Sequence, residues 1–294
     1  MALPVNYTYF LDGSYYLIKL NGISVSNRGF KFGDFIFETV RTRASQALLL
    51  DKHFERLKRG MELLKMNVGD LPTLPQLHGF IESLINKNRY YTDCRVRITV
   101  FRKGEGLYTP DTNYVSILIE AKPLETKGYE NNSKGILIGV FDEHFKSISP
   151  LSNFKCGGSF VCILAGIYRK ESQFGDVLLK NSEGRLIEAI SSNLFFVRDD
   201  VFYTPRLETG CVDGIMRTKV IELIRLQGWS LQEIDGATED LLEWADEIFL
   251  TNAIVGIQGV IGFKKRRFYL TKSKILNAQL NEWYKTVELG YFKS

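Results

Sequence analysis

Apolar and polar residues change their spacing several times along the chain, and each change predicts an element. Between Asp51 and Met66, Phe54, Leu57, Met61 and Leu64 fall at i, i+3, i+7 and i+10, which predicts a helix with Asp51 as its N-cap. A second helix is predicted over residues 74–87. Residues 95–101 alternate strictly, with Val96, Ile98 and Val100 on one face of a strand and Arg95, Arg97 and Thr99 on the other. Upstream, residues 7–20 alternate aromatic and polar around Asp12-Gly13, the pattern of an opening hairpin, and Asn21-Gly22 marks another turn. Phe35, Phe37 and Val40 flank Glu38 and Thr39 in a strand whose polar side chains are expected to face a cavity. A strand ending at Glu120 closes a first domain over 1–120, and the polar stretch 121–135, with its Pro, Gly and Asn, reads as a linker. The second domain, 136–294, opens on a strand at 136–141; helices are expected near 158–173, 214–227, 238–244 and 272–288.

Composition narrows the class without naming a substrate. At 294 residues the chain exceeds a typical single domain, and 45% apolar with 24% charged residues is the balance of an ordinary globular enzyme. A net charge of +4 is mild, and the densest basic run, Lys264–Arg267, is a solvated turn rather than a nucleic-acid surface. Cys94, Cys156, Cys162 and Cys211 show no paired or framework spacing and read as reduced thiols of a cytoplasmic protein. The first ten residues lack a signal-peptide pattern, and no window approaches a membrane span. His53, His78 and His144 have no metal-ligand spacing, so no metal site is expected. Gly104-Glu105-Gly106 is no dinucleotide fingerprint, and a GxSxG elbow is absent.

Chemistry concentrates between Asn153 and Phe196. Lys155 precedes Gly157-Gly158, after which Phe160, Ile163, Leu164 and Ile167 recur at helical spacing, so the lysine sits on a short extended segment before a helix. The chain then runs through residues 176–180, an Asn-Ser-Glu-Gly turn at 181–184 and a strand ending at Glu188, a hairpin able to return Glu188 toward Lys155. A lysine amine attacks carbonyls only when neutral, and a buried carboxylate needs a cationic partner. Pyridoxal 5'-phosphate satisfies both, with its aldehyde on the lysine and its protonated ring nitrogen on the carboxylate.

The blocks NRGFKFGDFIFETVRT (27–42), LDKHFERLKRG (50–60), SNFK (152–155), YTPRLETGCVDGIMR (203–217) and EIFLTNAIVGIQGV (247–260), with the run from Glu188 to Phe195, resemble the class-IV, fold-type-IV pyridoxal-phosphate enzymes. That family comprises branched-chain and D-amino-acid aminotransferases and 4-amino-4-deoxychorismate lyase. The resemblance implies an α+β / α/β fold of two domains with the active site between them, the lysine on the C-terminal one, and a homodimer in which a loop of the second subunit completes the site. It assigns Lys155 and Glu188 the catalytic roles, and gives the cofactor phosphate to Gly214, Ile215 and Met216, with Arg56, Thr251 and Asn252 beside it. Arg97, or Arg41, is the candidate for a substrate carboxylate, with Phe32, Phe37, Thr39 and Phe160 lining the pocket. The activity implied is transfer of an amino group between an amino acid and a 2-oxo acid. Phe160 in place of a tyrosine, Ser191-Ser192 before Asn193 and Met216 in place of a threonine depart from the branched-chain pattern. YTPRL, GIMR and TNA lean to the lyase, which releases pyruvate and 4-aminobenzoate, whereas Glu38-Thr39 and Leu107 lean to the transaminase.

Overall fold

The computed structural model describes residues 7–17, 24, 26–129 and 134–290. The expected turn at Asn21-Gly22, the end of the opening hairpin at 18–20 and part of the linker, 130–133, lie outside them. The chain forms two compact units, residues 1–128 with 154–158, and residues 129–153 with 159–294.

The first unit contains β1 (Thr8–Leu11), β2 (Ser14–Leu17), α1 (Arg28–Phe32), β3 (Phe35–Arg43), β4 (Gln46–Ala47), α2 (Leu50–Leu63), α3 (Leu74–Lys87), β5 (Cys94–Arg102) and β6 (Val115–Pro123). Its described strands make an antiparallel sheet ordered β2-β1-β6-β5-β3-β4. Ile36, Val40, Val96, Ile98, Ile119 and Ala121 cover one face and pack against Leu57 and Met61 of α2 and Ile81 and Leu84 of α3. Because side chains alternate along a strand, Glu38 lies on the same face as Ile36 and Val40 and points into this core. It does not face a cavity with Thr39, as the sequence reading expected.

Helix α2 starts two residues earlier than an N-cap at Asp51 predicts. Leu49 in the left-handed conformation (φ 52°) occupies the N-cap without a side-chain bond, and Asp51 stands in the first turn, where its charge complements the helix dipole. Helix α3 has the full reciprocal cap between Thr73 and Gln76.

The second unit contains β7 (Ile136–Lys146), α4 (Phe160–Ser172), β8 (Asp176–Asn181), β9 (Leu186–Ala189), β10 (Asn193–Arg198), β11 (Val201–Pro205), α5 (Ile215–Leu226), β12 (Leu231–Ile234), α6 (Glu239–Glu243), β13 (Glu247–Asn252), β14 (Gly256–Phe263), β15 (Arg266–Arg267) and α7 (Lys272–Gly290). The described strands run in the order β12-β11-β10-β13-β14-β7-β8-β9, with β15 against β14. Strand β9 also meets β10 at Glu188 and Asn193, so the sheet closes on itself there. The β8–β9 hairpin turns at Asn181, whose Oδ1 accepts from the Glu183 and Arg185 N–H groups at 3.1 and 2.9 Å.

The boundary drawn from composition shifts in two respects. Residues 121–128, expected in the linker, belong to the first unit, where β6 runs on to Pro123. Residues 154–158, expected in the second domain, pack with the first. The Phe37 N–H donates to the Lys155 carbonyl and the Gly157 N–H to the Phe35 carbonyl, at 2.9 and 2.8 Å, so the segment adds to the free edge of β3. Phe154 lies against the core beside Gly60, where a Cβ would overlap Ile36 and come within 2.9 Å of the Phe154 ring. Helix propensity alone favours Gly60→Ala by about 1 kcal/mol. The contact reverses the sign: the variant is expected to lose about 1–3 kcal/mol in denaturant unfolding, and a gain in stability would contradict this packing.

Candidate active site

Lys155 reaches the site from its extended segment on the edge of β3. Gly157 allows that approach, since a Cβ there would overlap the Gly33 carbonyl; Gly33 itself is left-handed, with φ at 67°. The glycine pair is thus used by the protein's own backbone. Partly buried, the Lys155 ammonium lies 5.7 Å from the centroid of the Phe37 ring. The Arg97 guanidinium stacks on that ring at 3.6 Å and donates from Nε to Thr99 Oγ1 at 3.2 Å. The register pairs Phe37 with Thr99 and Thr39 with Arg97, so Phe37, Thr39 and Arg97 share the sheet face opposite Ile36, Glu38 and Val40, and Lys155 lies near the Phe37 ring.

Loss of hydration lowers the Lys155 amine most. The charge of Arg56 adds to it, Glu38 opposes it, and Arg95 and Arg97 push the same way, so the pKa falls from the usual 10.5 to about 8. The neutral form at pH 7 rises from about three in ten thousand to about one in ten.

Arg56 is itself held from beneath. Its Nε donates to Glu38 Oε1 at 2.7 Å and its Nη2 to Oε2 at 2.6 Å, while His53 Nδ1 lies 2.7 Å from Oε2; all three side chains are 2% exposed. Burial alone would raise the Glu38 carboxyl, but Arg56 and the hydrogen bonds prevail and hold it at about 2. Burial lowers His53 despite Glu38, so the imidazole is neutral near pH 7 and donates from Nδ1.

The predicted site residues Glu188, Gly214, Ile215, Met216, Thr251 and Asn252 lie in the second unit. Strand register lays Glu188, Asn193 and Thr251 side by side across β9, β10 and β13. Glu188 is 4% exposed. Its Oε2 accepts the Val212 N–H at 2.8 Å and its Oε1 pairs with the Lys146 ammonium. Asn193 Nδ2 donates to the Val212 carbonyl at 2.8 Å, and a Cβ on Gly214 would overlap Asn193 Oδ1. The missing Cβ of Gly214 thus leaves room for Asn193.

Gly214 is the N-cap of α5, which has no side-chain cap, and Ile215 and Met216 form its first turn. The Thr251 hydroxyl, at 1% residue exposure, has no hydrogen-bond partner among the described residues. Asn252 is occupied locally: Oδ1 accepts from Ile254 and Val255, and Nδ2 donates to Ser192 Oγ at 2.9 Å.

Three further residues stand differently. Arg41, fully buried, pairs with Asp93 at 2.8 Å and donates to the Thr126 carbonyl, the structural ion pair that competed with a substrate role. Phe32 lies beneath the Arg28 guanidinium and beside Tyr108. Phe160, at 72% exposure, projects from α4. Sequence reasoning missed His53 and Lys146. The HxxR spacing puts His53 and Arg56 on adjacent turns of one helix, a usable signal; nothing local marks Lys146.

In the second unit, a buried hydroxyl without a partner among the described residues, a helix start without a side-chain cap and a buried carboxylate suit a phosphorylated heteroaromatic group. In the first unit, a lysine with a lowered pKa suits an aldehyde. Comparison with known proteins places the chain among named relatives. The chain is 26% identical over 245 residues to the aminodeoxychorismate lyase of Vibrio harveyi, covering 82% of this chain and 87% of that one. It is 26% identical over 248 residues to a probable branched-chain-amino-acid aminotransferase of Thermotoga maritima, covering 84% of each. The branched-chain aminotransferase of the archaeon Thermoproteus uzoniensis, solved with norvaline, shares the fold, with a TM-score of 0.83 at 22% identity over 94% of this chain and 93% of that one. Residues 35–262 match the family model of amino-transferase class IV. The chain belongs to that family, and it is an enzyme of the class-IV amino-transferase type.

Proposed function

We propose that this enzyme moves an amino group between an amino acid and a 2-oxo acid, with pyridoxal 5'-phosphate held covalently on Lys155. The observation that carries the reading is the placement of Lys155, partly buried on the edge of β3 with its ammonium 5.7 Å from the centroid of the Phe37 ring. Lost hydration there and the charges of Arg56, Arg95 and Arg97 lower its pKa to about 8. When bound, the cofactor supplies an aldehyde that takes the amino group and a ring that withdraws electrons from the substrate α-carbon.

Each residue then has a stated task. Lys155, neutral in an appreciable fraction at neutral pH, would hold the cofactor through its aldehyde, and its free amine would move a proton between the substrate α-carbon and the cofactor C4′. Glu188 holds the proton on the ring nitrogen. The Ile215 and Met216 amides at the start of α5 and the Thr251 hydroxyl donate to the phosphate, and Gly214 with Asn252 shapes the backbone around it. Arg56, fixed by Glu38, adds positive charge. Arg97, with its ring contact to Phe37 and Thr39 beside it, takes a substrate carboxylate. For Phe32 and Phe160 the surroundings give no comparable support.

The Vibrio harveyi relative supports a second reading, elimination of pyruvate from aminodeoxychorismate. Both are tested by incubating loaded protein with single candidate substrates and identifying the products by mass spectrometry. The proposal expects a 2-oxo acid from one of L-glutamate, a branched-chain amino acid or D-alanine. Pyruvate with 4-aminobenzoate from aminodeoxychorismate, and no 2-oxo acid from the amino acids, would replace it with the lyase.

Two variants probe the roles. Glu188→Gln is expected to retain the cofactor while turnover falls by about a hundredfold or more; unchanged turnover would remove Glu188 from the mechanism. Before any cofactor is added, acylation of Lys155 should rise with pH and level off above about pH 8. A midpoint near the ordinary lysine value, followed by peptide mass spectrometry, would show that the charge cluster does not act on it.

A further inference from the structure

Glu188 can serve a ring nitrogen only if its carboxylate is held in one orientation, and Lys146 is placed to hold it. Lys146 ends β7, where the pairing with β8 slips between Phe141 and Lys146, an irregularity that redirects the side chain. The lysine side chain is 16% exposed and the Glu188 side chain 6%. One ammonium makes two contacts, with Glu188 Oε1 and, at 3.1 Å, with the Ser152 carbonyl.

Ser152 is anchored in turn, its hydroxyl donating to the Ser147 carbonyl at 2.6 Å. The next residue, Asn153, donates from Nδ2 to the Leu207 and Cys211 carbonyls at 2.8 and 2.7 Å, and its own carbonyl accepts the Asp213 N–H at 3.0 Å. Val212, one residue before, donates to the other oxygen of Glu188. A single cation thus ties together the Glu188 carboxylate, the turn at residues 150–153 that runs on through Phe154 to Lys155, and the turn that precedes α5. A surface ion pair would link none of these.

We propose that Lys146 is a positioning residue that aims the Glu188 carboxylate at the ring nitrogen of a bound pyridine; this rests on the reading of Glu188 above. Removing the cation should free the carboxylate to turn, and the contact with the ring nitrogen should weaken while phosphate binding persists.

The test uses cofactor-free protein and two probes that cannot bond Lys155, 4-deoxypyridoxine 5'-phosphate and its analogue with C–H in place of the ring nitrogen. Their affinities are measured by calorimetry. The parent is expected to prefer the pyridine by about tenfold or more, the scale of a hydrogen bond to a charged group. In Lys146→Met the preference should fall to about twofold, with the C–H analogue bound as in the parent, and Lys146→Arg should keep most of it.

A parent-like preference in Lys146→Met would overturn the proposal. A parent with no preference would overturn the reading of Glu188 itself, and the proposal with it. Lys146→Gln, which keeps a donor and loses the charge, gives the same ratio should the methionine variant fail to fold: a ratio reduced toward twofold supports the proposal and an unchanged one overturns it.

Discussion

A charge taken out of water has to be compensated where it lies, and that constraint shapes the first unit. Glu38 is buried among apolar residues of the β3–α2 layer, and both of its oxygens are engaged, by the fork of Arg56 and by neutral His53. Leaving one partner of so buried a pair alone costs about 3–5 kcal/mol, so Arg56 is held as firmly as the core itself. Its charge reaches Lys155 from a fixed position. The amine beside it is partly dehydrated and meets more positive than negative charge, and its lowered pKa follows. Lost hydration lowers the Lys155 amine most, and the cation that neutralises Glu38 adds to it.

The second unit meets a different demand, placing hydrogen-bonding groups from distant parts of the chain in one row. Sheet closure supplies it. Strand β9 pairs with β10 at Glu188 and Asn193, and β10 pairs with β13 at Asn193 and Thr251. Asn193 is the hinge of the row, since it also grips the Val212 carbonyl and fits against Gly214. The start of α5 is thereby fastened to the strand between the carboxylate and the orphan hydroxyl. Preorganisation of this kind places donors before a ligand arrives.

Local chemistry was the legible part. The 3.6-residue stripe of α2, the alternation of β5 and the Asn181–Gly184 turn each follow from a short window, because the forces that set them act over a few residues. The side of β3 that Glu38 takes was also legible, from Ile36 and Val40 two residues either way, although the aromatic residues beside it suggest the opposite face. What lay beyond reach depends on pairing between distant strands. No window around Lys146 shows that β7 slips against β8, and none around Gly214 shows that Asn193 fills its missing Cβ. Residues 154–158 join the first unit through backbone bonds to β3, which carry no side-chain signature.

Two buried or partly buried lysines, Lys155 and Lys146, therefore offer the most direct test, since the amine of Lys155 is lowered toward neutrality and Lys146 is ion-paired with Glu188. The loaded protein is reduced with borohydride, digested and mapped by mass spectrometry for the phosphopyridoxyl group. Lys155 as the covalent anchor predicts that group on the peptide containing Lys155 alone. Finding it on Lys146 or on surface lysines, with Lys155 unmodified, would contradict the assignment from which every other role follows.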